Sequence, residues 1–168
     1  MPHTVDEILD AVLKAEGWPE YTEHPNDRGG PTKGGITLRA LESWKGKPCT
    51  RRDLKLFTRK KALQLLTQRY VNQNGIQLLL DDPIAPQLVD NAILSGPRLA
   101  VKDLQQVLGI PADGVIGPQT LAAYQKRPNI RNKFASARAL RLARHVKKHP
   151  DQLVFLTGWL TRCLSFIE

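Results

Sequence analysis

The stretch AEGWPEYTEHPNDRGGPTKGGIT, residues 15–37, places several carboxylates beside a run of glycines. A carboxyl group can donate a proton near neutral pH when its surroundings disfavour the ionised form, and a pair of such groups can cleave a glycosidic bond. The acidic residues of the stretch are Glu16, Glu20, Glu23 and Asp27. Which of the four is placed for such chemistry depends on the elements around them.

The first predicted helix directs attention to Glu16. Thr4 and Glu7 have the spacing of a capping box, and apolar residues then recur at helical intervals, so we predict a helix over residues 5–16 that Gly17 ends. Extending the apolar stripe reaches Glu16, at the negative end of the helix dipole. Partial burial and the dipole would both raise the pKa of Glu16 toward the range of a general acid. The alternative is that the helix ends earlier and Glu16 turns outward or pairs with a cation.

The other three acids lie in polar segments. Glu20 and Glu23 flank Tyr21 without apolar periodicity, which is typical of solvated side chains. Asp27 lies in NDRGG, where Asn, Asp and Gly favour a turn. Asp27 is therefore either a structural turn residue or a second carboxylate opposite Glu16. The separation of the two carboxylates, which distinguishes inverting from retaining hydrolysis, does not follow from the sequence.

Cap and turn signals divide the rest of the chain into helices. We predict a mainly α fold of the α+β lysozyme-like kind, a helical bundle with a small β-hairpin or loop in the glycine-rich residues 17–36. The later predicted helices run from Thr37 through Trp44, from Thr58 to about Tyr70, from Asp82-Pro83 to Ser95, from about Leu99 to Leu108, from Pro118 to about Lys126, from Arg131 to Lys148 and from Asp151 to Ile167.

Composition narrows the class of protein. The chain has 168 residues, two cysteines without metal-site spacing and a formal charge of +9. We therefore expect one ordinary-sized domain with free thiols and with no metal or cofactor. The N-terminus lacks the pattern of a secretion signal, and no stretch is apolar enough to span a membrane. The charge favours anionic partners such as nucleic acid, anionic lipid or an acidic wall polymer. The sequence contains no nucleic-acid recognition motif beside this charge. We expect a monomer.

Residues 16–37 as a whole resemble the N-terminal signature of glycoside hydrolase family 108, lysozyme-like N-acetylmuramidases found among phage endolysins. The signature has a Glu-Gly pair, an Asp-x-Gly-Gly-x-Thr segment and a Gly-Ile-Thr. Residues 88–121, LVDNAILSGPRLAVKDLQQVLGIPADGVIGPQTL, resemble the family's peptidoglycan-binding-like part, and GWLTRC resembles its closing helix. The matching signature positions are Glu16-Gly17, Asp27 to Thr32, and Gly35-Ile36-Thr37.

The resemblance implies that the protein cleaves the β-1,4 bond after N-acetylmuramic acid in peptidoglycan, with Glu16 as the catalytic acid. It implies a catalytic part over residues 1–95 and a helical peptidoglycan-binding-like part over 96–168, packed into one compact unit. Asp27 is the second candidate catalytic residue. The candidate substrate-binding residues are Thr32, Thr37, Tyr70 and Asn91. Tyr70 is equally well explained as a half-buried core tyrosine.

Three positions depart from the family pattern. Trp18 stands where the family often has Gly, Gly34 where it has an aromatic residue, and Leu94 where it has Asn. Leu94 removes a polar group from that position. Trp18 is either an aromatic platform for a sugar or a hydrophobic plug over the first helix.

The predicted helix over residues 131–148 is rich in arginine and lysine. One interpretation is a solvated surface, and the other is a face formed by Arg138, Arg141 and Arg144 that contacts anionic groups of lipopolysaccharide or an outer membrane. The alternative to an enzyme is a non-catalytic cell-wall-binding or regulatory protein on the same scaffold. An endolysin of this kind would be made in the host cytoplasm and would reach peptidoglycan in the periplasm or cell wall through a separate pore.

Overall fold

The computed structural model describes residues 4–23, 30–127 and 129–167. The chain divides into two compact units, one formed by Asp6–Arg69 and the other by Tyr70–Glu168 together with the first residues of the chain. The fold is mainly α-helical with one small antiparallel sheet, which confirms the predicted fold class. The predicted division into residues 1–95 and 96–168 stays a prediction.

The smaller unit, Asp6–Arg69, contains four helices and the sheet. Its elements are α1 (Val5–Ala15), β1 (Tyr21–Thr22), β2 (Thr32–Lys33), β3 (Ile36–Thr37), α2 (Leu38–Lys45), α3 (Arg51–Lys55) and α4 (Arg59–Leu66). The strands lie in the order β1-β2-β3, and both pairs are antiparallel. The glycine-rich segment after α1 therefore forms the predicted β-structure.

Threonine caps fix where the helices of this unit begin. The hydroxyl of Thr37 accepts a hydrogen bond from the Ala40 amide at the start of α2, as the sequence predicts. Thr50 and Asp53 form a capping box at α3, a helix that the sequence analysis did not predict although its Thr-x-x-Asp spacing was readable. Hydrogen bonds from Thr50 to the Asp53 carboxylate hold the pKa of Asp53 at about 2.

Apolar side chains from several elements close the core of the smaller unit. Leu9 and Leu13 of α1 are buried, as are Leu41 of α2 and Leu54 of α3. Fully burying one such leucine stabilises the fold by roughly 1.5–3 kcal/mol. These contacts fix α1, whose last residue directly precedes Glu16.

The larger unit is built from helices. A π-helical turn (Thr67–Val71) leads from α4 into it, and its elements are a 3-10 helix (Ile76–Leu79), α5 (Ala85–Ser95), α6 (Pro97–Leu108), α7 (Pro118–Gln125), α8 (Arg131–Lys148), a second 3-10 helix (Pro150–Gln152) and α9 (Leu153–Leu164). The helices after α4 thus agree with the predicted ones within a few residues.

A buried glutamine organises the loop between α6 and α7. The Gln105 side-chain amide donates hydrogen bonds to the Asp113 carboxylate and the Val115 carbonyl, and its oxygen accepts one from the Gly114 amide at 2.8 Å. Gly114 has φ +84°, and a Cβ there would lie 2.6 Å from Cγ of Arg98. Asp113 and Gly114 therefore form a turn that the Gln105 side chain holds by hydrogen bonds.

The predicted basic face of α8 is wrong at two of its three arginines. Arg138 has no exposed surface and pairs with the buried carboxylate of Asp90, which also accepts from Arg162 of α9. Arg141 pairs with the buried Asp103 at 2.8 Å. Only Arg144 of the three predicted cations is exposed. Charge alone predicts a surface position for arginine, whereas here the buried carboxylates of Asp90 and Asp103 compensate the charges of Arg138 and Arg141.

The sequence pattern also predicts an apolar stripe on the last helix, and this prediction is wrong; the stripe is formed by Leu153, Leu156, Leu160, Cys163, Leu164 and Ile167. Of its six residues only Cys163 is buried, and Leu153, Leu164 and Ile167 are exposed. Both cysteines are free, and burial raises the pKa of the Cys163 thiol. Within the described ranges, no helix combines the length and apolar character that a membrane span requires.

Candidate active site

Helix α1 ends in a turn that sets the position of Glu16. The Gly17 amide donates to the Lys14 carbonyl at 3.1 Å, and the Trp18 amide donates to the Leu13 carbonyl at 2.9 Å. Together with φ +77° at Gly17, these two bonds form a Schellman motif, which closes a helix at a glycine. Glu16 is the C-cap residue of this motif.

The carboxylate of Glu16 lies on the surface. The prediction that Glu16 continues the buried stripe of α1 is wrong, because Glu16 is exposed. The stripe ends with Leu13, and the Schellman turn reverses the chain before another buried position is reached. The outward orientation, which was the alternative, is the one observed.

The turn between β2 and β3 packs against this helix end. Gly34 and Gly35 have φ +52° and +74°, the left-handed conformation that tight hairpin turns require. A Cβ on Gly35 would lie 2.6 Å from Oε2 of Glu16 and 2.9 Å from its Cβ. Only glycine leaves room there, so the Gly35 backbone forms one wall around the Glu16 side chain.

Trp18 contacts the same turn. A Cβ on Gly34 would lie 2.7 Å from Cε3 of Trp18, and the Lys33 ammonium lies 5.1 Å from the indole centroid. The same ammonium donates to the carbonyls of Lys55 and Phe57. Trp18 is half-buried, so these contacts show packing between the helix end and the hairpin and leave part of the side chain accessible. No signal in the sequence predicts the Lys33 contacts, whereas Gly34-Gly35 between two strands is a readable turn signal.

Glu20 and Glu23 have different surroundings. Glu20 is exposed, and its carbonyl accepts from the Gly34 amide at 2.9 Å. The Glu23 carboxylate accepts from the Tyr21 hydroxyl at 2.8 Å and from Arg51 Nε at 2.7 Å. The hydrogen bond from Arg51, followed by that from Tyr21, lowers the pKa of Glu23. Glu23 is thus an exposed ion-pair partner.

The predicted binding residues of the smaller unit lie on the hairpin. Thr32 and Thr37 are directly paired across β2 and β3. The Thr32 hydroxyl lies 2.7 Å from the Thr22 hydroxyl, and the Thr37 hydroxyl caps α2. Both side chains are half-buried. Asp27, the predicted second carboxylate, lies outside the described residues.

The two remaining predicted residues belong to the larger unit. Tyr70 is half-buried in the π-helical turn, a conformation found frequently at functional sites. Asn91 has no exposed surface, and its amide donates to Asp103 at 2.9 Å. A side chain with no accessible surface cannot contact a sugar. Asn91 therefore belongs to a buried polar network with Asp103 and is not a substrate contact.

Among the described residues, no group of three or more His, Cys, Asp and Glu side chains is placed to hold a metal ion. At the end of α1, the exposed Glu16 carboxylate lies beside a glycine turn, with the Trp18 ring nearby. Such a carboxylate can exchange a proton with a bound ligand.

Two family models match most of the chain between them, and a similar structure has been solved. The family model described as Glycosyl hydrolase 108 matches residues 9–96, and the model described as Predicted Peptidoglycan domain matches residues 99–164. The solved structure of SagA from Brucella abortus is similar at 34% identity and a TM-score of 0.63, over 95% of this chain and 93% of that chain. The curated proteins gave no match.

The first family model spans α1, the glycine turn and α2, and therefore includes Glu16 and the hairpin. The chain belongs to the glycosyl hydrolase 108 family and is a peptidoglycan hydrolase, a glycosidase of the N-acetylmuramidase type.

Proposed function

We propose that Glu16 is the general acid that cleaves the β-1,4 bond between N-acetylmuramic acid and N-acetylglucosamine. The observation that carries the proposal is the contact between Glu16 and the glycine turn, in which an exposed carboxylate lies against a backbone with no side chain. The side chain is accessible to a substrate and has lost part of its conformational freedom. Both properties favour proton donation at a defined atom.

The reaction can be written in terms of this carboxyl group. The protonated Glu16 carboxyl transfers its proton to O4 of N-acetylglucosamine as the bond from O4 to the anomeric carbon of N-acetylmuramic acid breaks. A water oxygen finally adds to that carbon, and the proton that it loses goes to the second carboxylate in an inverting reaction or back to Glu16 in a retaining one, so the protons balance. The products are two chain ends, one of them a reducing N-acetylmuramic acid.

Asp27 is our proposed second carboxylate. Its place in the sequence NDRGG, between β1 and β2, and its match to the family signature support the proposal. In an inverting reaction it would activate the water, and in a retaining reaction it would act as nucleophile or stabilise the developing positive charge. Proton NMR of the first product anomer distinguishes the two, because only inversion gives the opposite configuration at the anomeric carbon.

For substrate binding we propose the exposed side of the hairpin. Thr32 and Thr37 lie opposite each other there, and Trp18 offers a partly accessible ring. That Tyr70 contacts the substrate stays a prediction. Each of these groups has a hydroxyl or an aromatic face, which suits an N-acetyl sugar.

The decisive experiment compares Glu16→Gln with the parent protein on purified peptidoglycan. Glutamine keeps the size of the side chain but cannot donate a carboxyl proton, so we expect the release of reducing ends to fall by about 10²–10⁴-fold. Glu20→Gln is the matched control, because Glu20 is an exposed carboxylate of the same turn. We expect it to retain activity near that of the parent, with N-acetylmuramic acid at the new reducing ends of both.

Equal release by Glu16→Gln and the parent would remove Glu16 from this role. Loss of activity in Glu20→Gln alone would move the role to Glu20. If the parent released no reducing ends but still bound peptidoglycan, the non-catalytic cell-wall-binding alternative would replace the proposal.

For the biological setting we propose a phage endolysin that acts in host lysis. It would be made in the host cytoplasm and reach peptidoglycan after release through a separate pore. The family signature supports this setting. We do not propose contact with lipopolysaccharide through Arg138, Arg141 and Arg144, because Arg138 and Arg141 pair with buried carboxylates.

A further inference from the structure

The junction of α8 and α9 exposes three consecutive apolar side chains. Leu153 is 62% exposed, Val154 78% and Phe155 51%. Scattered exposed apolar residues are normal, but three consecutive exposed apolar residues at the start of a helix are unusual. Exposed apolar clusters on this scale mark surfaces that contact something else.

Ring contacts show which part of α8 lies beside this run. Phe155 stacks on Trp159 with ring centroids 5.7 Å apart, and Trp159 lies 6.3 Å from His145 in the last turns of α8. The start of α9 is therefore adjacent to the end of α8. We call the surface formed by Lys147, Lys148, Leu153, Val154 and Phe155 the hairpin tip.

The two lysines give the hairpin tip a positive charge. Lys147 and Lys148 are exposed, and neither forms an ion pair with another described residue. Helix α8 contains no Asp or Glu, and Asp151 is the sole acid in residues 131–167. The Asp151 carboxylate accepts from the Gln152 side chain at 2.6 Å. Cations and aliphatic side chains therefore share one end of the helix pair.

We propose that the hairpin tip docks on the surface of an anionic lipid bilayer. Leu153, Val154 and Phe155 would enter the boundary between headgroups and acyl chains, while the two ammonium groups lie among the phosphates. A glycan fits this surface less well, because aliphatic side chains offer sugar hydroxyls no hydrogen bonds. An anionic bilayer complements both the apolar run and the charge.

Vesicle binding tests this proposal independently of catalysis. The full chain would be sedimented with vesicles of phosphatidylglycerol and phosphatidylcholine, and with vesicles of phosphatidylcholine alone. We expect clear partition into the anionic vesicles and little into the neutral ones. Lys147→Gln/Lys148→Gln should weaken partition by about fivefold for each lysine removed. Leu153→Ser/Phe155→Ser should abolish the fraction that stays bound at high salt.

Leu56→Ser is the matched control for removing an exposed apolar side chain, because Leu56 is 68% exposed and belongs to the smaller unit. It should bind as the parent does. Tryptophan emission gives a second readout. Insertion next to Trp159 should shift the emission to shorter wavelength, and the shift should vanish in Trp159→Phe.

Three results would overturn the proposal. The first is no partition of the parent into anionic vesicles. The second is salt-sensitive partition that Leu153→Ser/Phe155→Ser leaves unchanged, which would mean non-specific attraction of a cationic protein. The third is concentration-dependent self-association in sedimentation velocity that the same double variant removes, which would make a second copy the occupant.

Discussion

Gly34 and Gly35 are neighbours in one turn, but they accommodate different side chains. Gly34 lies against Trp18, and Gly35 lies against the Glu16 carboxylate. Both have a left-handed backbone, so any other residue would be strained at either position. At Gly35 a side chain would also displace the proposed acid.

Gly35→Ala should therefore reduce kcat by about 10²-fold, the scale expected when a reacting group moves by about 1 Å. The strained backbone should also lower the free energy of unfolding by about 1–2 kcal/mol. Initial rates on soluble peptidoglycan fragments would separate kcat from KM, and urea denaturation would give the stability.

The variant Gly46→Ala separates the effect of backbone strain from the effect of displacing Glu16. Gly46 has φ +65° at the end of α2, and a Cβ there would meet no atom within 4 Å. This variant should lose a similar amount of stability but keep its kcat. If the two variants lost kcat equally, the contact with Glu16 would have no part in catalysis.

At the scale of elements, one buried carboxylate joins three helices of the larger unit. Asp90 of α5 accepts hydrogen bonds from Arg138 of α8 and from Arg162 of α9. Arg138 also lies within 6 Å of the Phe134 and Phe166 ring centroids, at 5.8 and 5.7 Å. Its guanidinium also donates to the Gln87 carbonyl, so Arg138 has polar partners on α5 as well as two aromatic neighbours.

Arg138→Met should lower the free energy of unfolding by roughly 1.5–3 kcal/mol, because it removes a buried charged hydrogen-bond donor while Arg162 still pairs with Asp90. Arg144→Met is the control on the same helix, since Arg144 is exposed, and it should change stability by less than about 0.5 kcal/mol. Urea denaturation followed by circular dichroism measures both. Similar stabilities for the two variants would show that the pair with Asp90 does not hold the helices together.

Local signals explain what the sequence could predict. The Thr37 and Thr58 caps and the glycines after α1 and α6 act within a few residues, so the helix bounds follow from them. Burial depends on distant partners. Arg138 is buried because Asp90, remote in the sequence, lies opposite it, and no periodicity contains that information.

The site shows the same limit. Two signals favour Glu16 among the four acids, the apolar stripe of the first helix and the family signature. The stripe predicts that the Glu16 side chain is buried, whereas it is exposed. What the structure adds is the Gly35 contact, which requires the hairpin to fold back on the end of α1. This contact joins two elements that are separate in the sequence, so residue spacing alone does not predict it.

At the scale of the whole molecule, not all of the 25 lysine and arginine side chains are available to a partner. Arg138, Arg141 and Arg162 are paired with buried carboxylates of the larger unit. The exposed positive charge therefore depends more on residues such as Arg144, Lys147 and Lys148. Long-range attraction to anionic envelope components follows from these.

The proposed endolysin role predicts how the whole protein behaves in a cell. Production in the bacterial cytoplasm should leave the culture turbid, because the substrate lies beyond the inner membrane. Permeabilising that membrane with chloroform should then cause a rapid fall in turbidity, and Glu16→Gln should show none. Lysis of cells before permeabilisation would contradict the need for a separate pore.

The turn that holds Glu16 is built from residues close together in the chain. The Schellman motif, the glycine turn and the β2–β3 pair all lie within Asp6–Arg69, so their contacts are short-range in sequence. Short-range contacts form early in folding, and N-terminal units generally fold first during synthesis. The geometry around the acid can therefore be complete while the ribosome is still adding the helices of the larger unit.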